Sequence, residues 1–182
     1  MKRTTVLLVL CFACQAHAAD LKLEISCEAV TIQKDARPKF TVAITNSGKA
    51  DVTLVQPGDG SDCKMRTPVV GWSAIPADDP KATHPQEPPL YAGGRCGNIN
   101  ALQADEVFVL KPGERKALGG WFGAPSFPKR GKYRVVLYYF NLPNLQWSGL
   151  PLRRHDEKAM RQVKTSTKCE LVSNELVFTV KE

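Results

Sequence analysis

Along most of the chain, apolar side chains recur at every second residue in short runs, and Gly, Pro and Asn separate the runs. "LKLEISC" places Leu21, Leu23, Ile25 and Cys27 on one face, and "KFTVAIT" does the same with Phe40, Val42 and Ile44. After the turn-like "NSGKAD", "VTLV" resumes with Val52 and Leu54, and "VVGWSAI" carries Trp72. "EVFVL" breaks at "KPGE" and continues as "RKALGGWF". "GKYRVVLYYF" alternates Tyr133, Val135, Leu137 and Tyr139, and "NELVFTV" closes with Leu176, Phe178 and Val180. A period of two is that of a strand with one buried face. Seven or eight such runs with turn residues between them predict an all-β antiparallel β-sandwich rather than an α/β sheet.

Three stretches break the pattern. "DEKAMRQV" has Asp156 and Glu157 at its start and Ala159, Met160 and Val163 at helical spacing, which predicts one short helix. Residues 76–104 hold Pro76, Pro80, Pro85, Pro88 and Pro89. Proline withholds backbone donors, so this segment cannot be a central strand. Residues 141–172 contain Trp147, "PLRRH" and the predicted helix. Both are read as long loop insertions, and loops of such length usually carry function or lack order. Each holds a cysteine, which argues for order.

The N-terminus sets the expected compartment. Lys2 and Arg3 precede the apolar "TTVLLVLCFAC", which is too short to span a bilayer, and Ala16 and Ala18 suit a signal peptidase. Residues 1–18 are therefore read as a signal peptide and 19–182 as one domain, periplasmic or secreted, with no transmembrane segment in the mature chain. The full chain carries +7, and the leader takes Lys2 and Arg3 with it. The remaining positive excess favours a protein or an anionic envelope polymer as partner. No stacking aromatics interleave with a basic run, so nucleic acid is not expected.

Six cysteines less Cys11 and Cys14 of the leader leave Cys27, Cys63, Cys96 and Cys169. An even number in an exported chain implies two disulfides with three possible connectivities.

Several turns carry a resemblance. Asn46 and Gly48, then Leu110, Pro112, Gly113 and Glu114, then Gly131 and Tyr133, resemble in order the bacterial cell-surface immunoglobulin-like domains of the CARDB type. The same pattern is similar to the BsuPI-type proteinase-inhibitor sandwich. The resemblance implies an immunoglobulin-like β-sandwich with Tyr133 as a tyrosine corner, its hydroxyl returning to the backbone near Lys129 or Arg130. These are turn residues that serve backbone geometry, so they mark a fold and not an active site.

The candidate sites are weighed on their chemistry. "PGDGSDCKMRTPVVGW" places Asp59 and Asp62 before Cys63, yet a calcium loop needs more oxygens and a distal acid, and Lys64, Met65 and Arg66 follow instead. A Gly-Asp-Gly turn fits better. Zinc wants closely spaced cysteines, and the nearest two here, Cys63 and Cys96, are 33 positions apart. No G-x-S-x-G motif is present, and no nucleophile–base pair stands out. Cys63 next to a strand and Cys96 at the end of the proline-rich loop are read as a staple, stabilising by roughly 3–4 kcal/mol in the chain-entropy model. Cys27 and Cys169 then pair by elimination, since first and last strands often neighbour each other in immunoglobulin-like sandwiches.

The remaining feature is basic. Arg153, Arg154, His155, Lys158, Arg161, Lys164 and Lys168 cluster, and Arg154, Lys158 and Arg161 would share one helix face. An exposed Trp147 beside Arg153 and Arg154 has the composition of an interface hot spot. Trp121 and Phe122 either extend that patch or fill the core. The expected function is an exported, non-catalytic binding module that uses Trp147, Arg153, Arg154, Lys158 and Arg161, without metal or cofactor. An inhibitor that inserts a stiff 80–92 loop, and a carboxylate-based hydrolase, are the alternatives.

Overall fold

The structure is a computed structural model that describes residues 20–34, 36–91, 93 and 96–182. The expected signal peptide at 1–18 lies outside the described residues.

The strands are β1 (Leu21–Cys27), β2 (Thr31–Gln33), β3 (Phe40–Asn46), β4 (Val52–Val55), β5 (Val69–Pro76), β6 (Asn98–Ile99), β7 (Val107–Leu110), β8 (Arg115–Leu118), β9 (Gly131–Asn141), β10 (Leu150–Pro151), β11 (Cys169–Val172) and β12 (Leu176–Lys181). One helix, α1 (Glu157–Lys164), precedes β11. The alternating runs map onto β1, β3, β4, β5, β7, β8, β9 and β12. The strands that escaped the sequence reading, β2, β6, β10 and β11, are two to four residues long and too short to show a period.

One layer is β1-β3-β8, continued by the β4–β7 ladder; the other is built on β9. β5 pairs one edge of β9, while β12 and β11 lie end to end along its other edge and β2 joins β12 in parallel. The antiparallel sandwich expected from the alternation is thus present, with two parallel pairings added. Inward residues of both layers meet in one core: Leu23, Ile25, Ile44, Val52 and Leu54 against Val70, Leu137, Tyr139 and Leu171.

The turn residues have visible duties. Asn46 is fully buried where β3 gives way to β4. Its Nδ2 donates to the Ala50 and Leu110 carbonyls at 2.8 and 2.9 Å, and its Oδ1 accepts from the Gly48 N–H at 3.0 Å. One amide side chain therefore satisfies three backbone groups at a corner the ladder cannot serve. Gly113 turns β7 into β8 at φ 75°. Tyr133 donates its hydroxyl to the Lys129 carbonyl at 2.9 Å and accepts from the Lys129 N–H at 3.2 Å, as a tyrosine corner should.

β9 explains the proline-rich segment. Its outward residues Val136, Tyr138 and Phe140 are as buried as its inward ones. A strand apolar on both faces needs a cover. Residues 82–91 and 142–145 provide it: Tyr138 Oη donates to the Pro85 carbonyl at 2.5 Å, Arg134 Nη2 to the Ala82 carbonyl at 2.6 Å, and Leu142 and Leu145 pack on Tyr138 and Phe140. Residues 82–89 lie against the sheet, with Pro88 and Pro89 beside Gly71 of β5.

The cysteine pairing needs correction. Among the described residues no disulfide is formed. Cys169 faces Asn141 at the end of β9, whereas Cys27 packs with Tyr133 and Phe178 near its start. The strand between those levels spans on the order of 20 Å at about 3.3 Å per residue. A disulfide tolerates roughly 7 Å between Cα atoms. Cys27 and Cys169 do not pair; burial pushes the Cys169 thiol up to about 12.

Candidate functional site

Three segments outside the sandwich ladders converge at one end of the molecule: 57–68, 97–106 and 145–156. Backbone bonds knit them. Ser148 N donates to the Met65 carbonyl, Leu150 N to Gly97, Leu152 N to Ile99 and Asp156 N to Leu102, each at 2.9 to 3.0 Å. Asp156 also caps α1, its Oδ1 accepting from the Ala159 N–H at 2.7 Å. Ala159 and Val163 of α1 close the cluster against Val55 and Leu102.

At the centre of this knot lies Arg66, 0% exposed. Its Nη2 is 3.1 Å from Glu106 Oε1, and its guanidinium sits 4.9 Å from the Trp147 ring centre. The Trp147 ring meets His155 edge-on at 5.1 Å. His155 Nδ1 accepts the Leu102 N–H at 2.9 Å, so the neutral ring carries its proton on Nε2. Burial, then the Arg66 charge, hold His155 below its ordinary range, with Glu106 partly opposing. Gly58 is required here: a Cβ would fall 2.5 Å from Arg66 Nη1 and 2.7 Å from Glu106 Oε1. The buried pair organises loops, and removing either partner strands a charge.

Glu106 also faces outward. It ends a 3₁₀ turn, Ala104–Glu106, and closes a capping box with Gln103, its Oε2 accepting from Gln103 N at 2.7 Å. It lines a surface cleft of about 470 Å³ together with Asp59, Asn100, Ala101, Gln103, Trp121, Leu152 and Arg153. Asp59 Oδ2 is held by the Asn100 N–H at 3.0 Å. The "PGDGSDC" stretch is thus a turn, with a 3₁₀ segment Ser61–Cys63, that aims one carboxylate at this cleft.

Trp121 is 50% exposed and belongs to two clefts. The second, about 420 Å³, is lined by Phe40, Val42, Trp72, Phe122 and the glycines around Trp121. A third, about 410 Å³, shares Trp72 and Phe122 and adds Pro89, Leu90 and Tyr91. The "GGWFG" sequence produces this arrangement. Gly120 has φ 106°, and a Cβ there would run into the Pro57 carbonyl. The sharp turn sends Trp121 outward, while the next residue points in and its carbonyl accepts the Trp72 Nε1–H at 2.7 Å.

The expected site residues are therefore distributed differently. Trp147 is half-buried between Arg66 and His155 and is not an exposed contact. Arg153 lines the Trp121 cleft. Arg154 and Arg161 both reach Glu157, the latter at 3.9 Å, and Lys158 is exposed on the same helix. The exposed tryptophan beside an arginine is Trp121, not Trp147. Its signal was the run of glycines on either side.

One constellation escaped the sequence. His84 Nδ1 lies 2.8 Å from Ser73 Oγ, and His84 Nε2 lies 3.2 Å from Glu175 Oε2. The three residues come from β5, the proline-rich segment and the turn before β12. Ser73 is 5% exposed, Arg134 also approaches Glu175 at 3.7 Å, and none of the clefts above includes any of the three. A nucleophile needs room for a carbonyl substrate and donors for its oxyanion. This hydroxyl lies beneath the segment that His84 anchors, so the contact straps residues 82–89 to the sheet.

Among the described residues no group of three or more His, Cys, Asp or Glu side chains is placed to hold a metal ion, and no helix is long and apolar enough to cross a membrane. No protein-family model, curated protein or solved structure matches the chain.

Proposed function

We propose that the chain is an exported, non-catalytic binding module whose sandwich holds a recognition surface around Trp121 for a protein or envelope-polymer partner. The observation that carries this reading is the placement of Trp121, half exposed at the junction of two clefts. Large aromatic rings beside an arginine are the usual anchors of recognition surfaces. Arg153 contributes the charge within the cleft, and Arg154 ahead of α1 with Lys158 and Arg161 on it supply a basic rim. Trp147 and Arg66 hold the cleft's walls in place from behind.

Export would also oxidise Cys63 and Cys96. The backbone around them is already gathered: Tyr91 N donates to the Asp62 carbonyl at 2.9 Å, and Met65 and Gly97 are joined through the Ser148–Leu150 segment. A bridge there would pin the proline-rich cover next to the cleft.

A second reading has one observation in its favour, since Asp59 and Glu106 share a cleft as paired carboxylates of a hydrolase do. Both Glu106 oxygens are engaged, by Arg66 and by the Gln103 N–H, which suits a positioning role better than proton transfer.

The test is retention of envelope components on the immobilised mature domain, comparing wild type with Trp121→Ala and Trp147→Phe. Loss of a retained component with Trp121→Ala alone is expected. An unchanged set of components with Trp121→Ala would remove the proposed surface.

A further inference from the structure

Independently of the Trp121 clefts, we infer that the segment Leu150–Arg154 and the outer face of α1 dock the protein on an anionic lipid bilayer. Leu150 and Leu152 are 69% and 62% exposed, the two most exposed of the large apolar side chains among the described residues. Their backbone is not free to turn them inward. Leu150 N donates to the Gly97 carbonyl and Leu152 N to the Ile99 carbonyl, each at 2.9 Å, so both residues face β6 with their main chain and share one side of an extended strand. Gly149 lets the strand lie this close, since a Cβ there would fall 2.6 Å from the Ile99 side chain. Pro151 between the leucines withholds a backbone donor, which blunts the outer edge of β10 against a further strand. The ladder therefore presents two leucines to solvent in fixed positions, at a hydrophobic cost that a lipid interface would offset.

The charge beside the leucines identifies the surface. Residues 150–164 hold five cations, Arg153, Arg154, Lys158, Arg161 and Lys164, against Asp156 and Glu157, a net charge of +3. All five cations are exposed. Asp156 is spent on the α1 cap, where its Oδ1 accepts the Ala159 N–H. Glu157 draws Arg154 and Arg161 together, the latter at 3.9 Å, which joins the end of the leucine segment to the helix face. Arg153, Lys158 and Lys164 form no ion pair among the described residues. The helix buries Ala159 and Val163 and carries Lys158, Arg161 and Lys164 at three-residue spacing along its outer side. The acids of the adjoining cleft, which Leu152 and Arg153 also line, are engaged there: Glu106 with Arg66 at 3.1 Å and Asp59 with the Asn100 N–H at 3.0 Å. Leucines flanked by Lys and Arg seat a protein at a lipid headgroup boundary, the apolar side chains entering the acyl region and the cations meeting phosphates. A soluble polyanion would reward the cations and leave the leucines in water. A second copy of the chain would set one positive patch against another.

The experiment sediments the protein with vesicles of phosphatidylcholine alone and of phosphatidylcholine mixed equally with phosphatidylglycerol. Binding at least about tenfold tighter to the mixed vesicles is expected, falling as salt is raised from about 0.1 to 0.5 M. Leu150→Ser with Leu152→Ser, and Lys158→Gln with Lys164→Gln, should each weaken that binding about tenfold while the melting temperature stays at the wild-type value. The apolar stretch near the N-terminus is common to every variant, so these ratios read the patch alone. Trp121→Ala should bind vesicles as wild type does. The inference is overturned if both vesicle types bind equally, or if either double variant binds as wild type does. Should the lysine pair matter and the leucine pair not, the patch is a site for a soluble polyanion and the lipid assignment falls. A Leu150-dependent dimer in gel filtration, with no vesicle binding, would identify a second copy of the chain and overturn it equally. Failure with vesicles while envelope retention still depends on Trp121 removes this inference and leaves the cleft reading in place.

Discussion

Glu106→Gln should be among the most damaging single-atom-scale changes in the molecule. The perturbation keeps shape and removes only charge. Arg66 Nη2 is 3.1 Å from Glu106 Oε1, and the arginine side chain is 1% exposed while that of Glu106 is 19% exposed. At an effective dielectric of about 20, two unit charges at this distance attract by about 5 kcal/mol. The partial exposure of Glu106 and the residual attraction of Asp59 reduce what is lost. Measured costs of stranding one member of a buried pair, about 3–5 kcal/mol, set the scale, and about 3 kcal/mol is expected here. For a domain of this size that corresponds to a fall in melting temperature of roughly 6–12 °C. Urea unfolding followed by tryptophan fluorescence gives the free energy directly. The control is a double-mutant cycle: Arg66→Met with Glu106→Gln leaves no buried charge and should recover most of the loss. A cost below about 0.5 kcal/mol for Glu106→Gln, or a double variant whose loss equals the sum of the singles, would refute the assignment of Arg66 as a buried, paired cation.

Other consequences follow from the same geometry. Because burial and Arg66 hold His155 below its ordinary value, the unfolded chain binds the proton more readily, so stability rises with pH up to about 6.5 and is lost as pH falls through the lowered pKa; urea midpoints at pH 5 and 7 should differ more in wild type than in His155→Asn. Cys169 should resist maleimide under native conditions and label only on unfolding, since it is 2% exposed and its thiol is pushed up to about 12. Peptide mapping of oxidised protein should yield a Cys63–Cys96 link and no Cys27–Cys169 link. Tyr133→Phe removes a hydroxyl that both donates to and accepts from Lys129, and should cost about 1–2 kcal/mol by urea titration.

The strands were legible because their side chains alternate, and the helix because Asp156 announces its start and Ala159 and Val163 its buried face. The corner residues Asn46, Gly113 and Tyr133 were legible because each serves a local backbone need. The outer cover was readable too, in retrospect: "YRVVLYYF" is apolar on both faces, and Val136, Tyr138 and Phe140 had to be hidden by something. What failed was everything set by distant partners. Cysteine elimination presumed that the first and last strands bring Cys27 and Cys169 to one level, but β9 is long enough to hold them at opposite ends. Trp147 looked like an exposed anchor because basic residues follow it in sequence, whereas it is half-buried and packs on Arg66, about eighty residues earlier. The Ser73–His84–Glu175 contact joins three elements with no shared local pattern.

The most direct test of the central claim uses the indole N–H signals of the three tryptophans, Trp72, Trp121 and Trp147, in nitrogen-15 spectra of the protein. On adding the retained envelope component, the Trp121 signal should move or broaden first and saturate with ligand, while Trp147, half-buried between Arg66 and His155, stays at its free position. A shift centred on Trp147 with Trp121 unmoved would contradict the account.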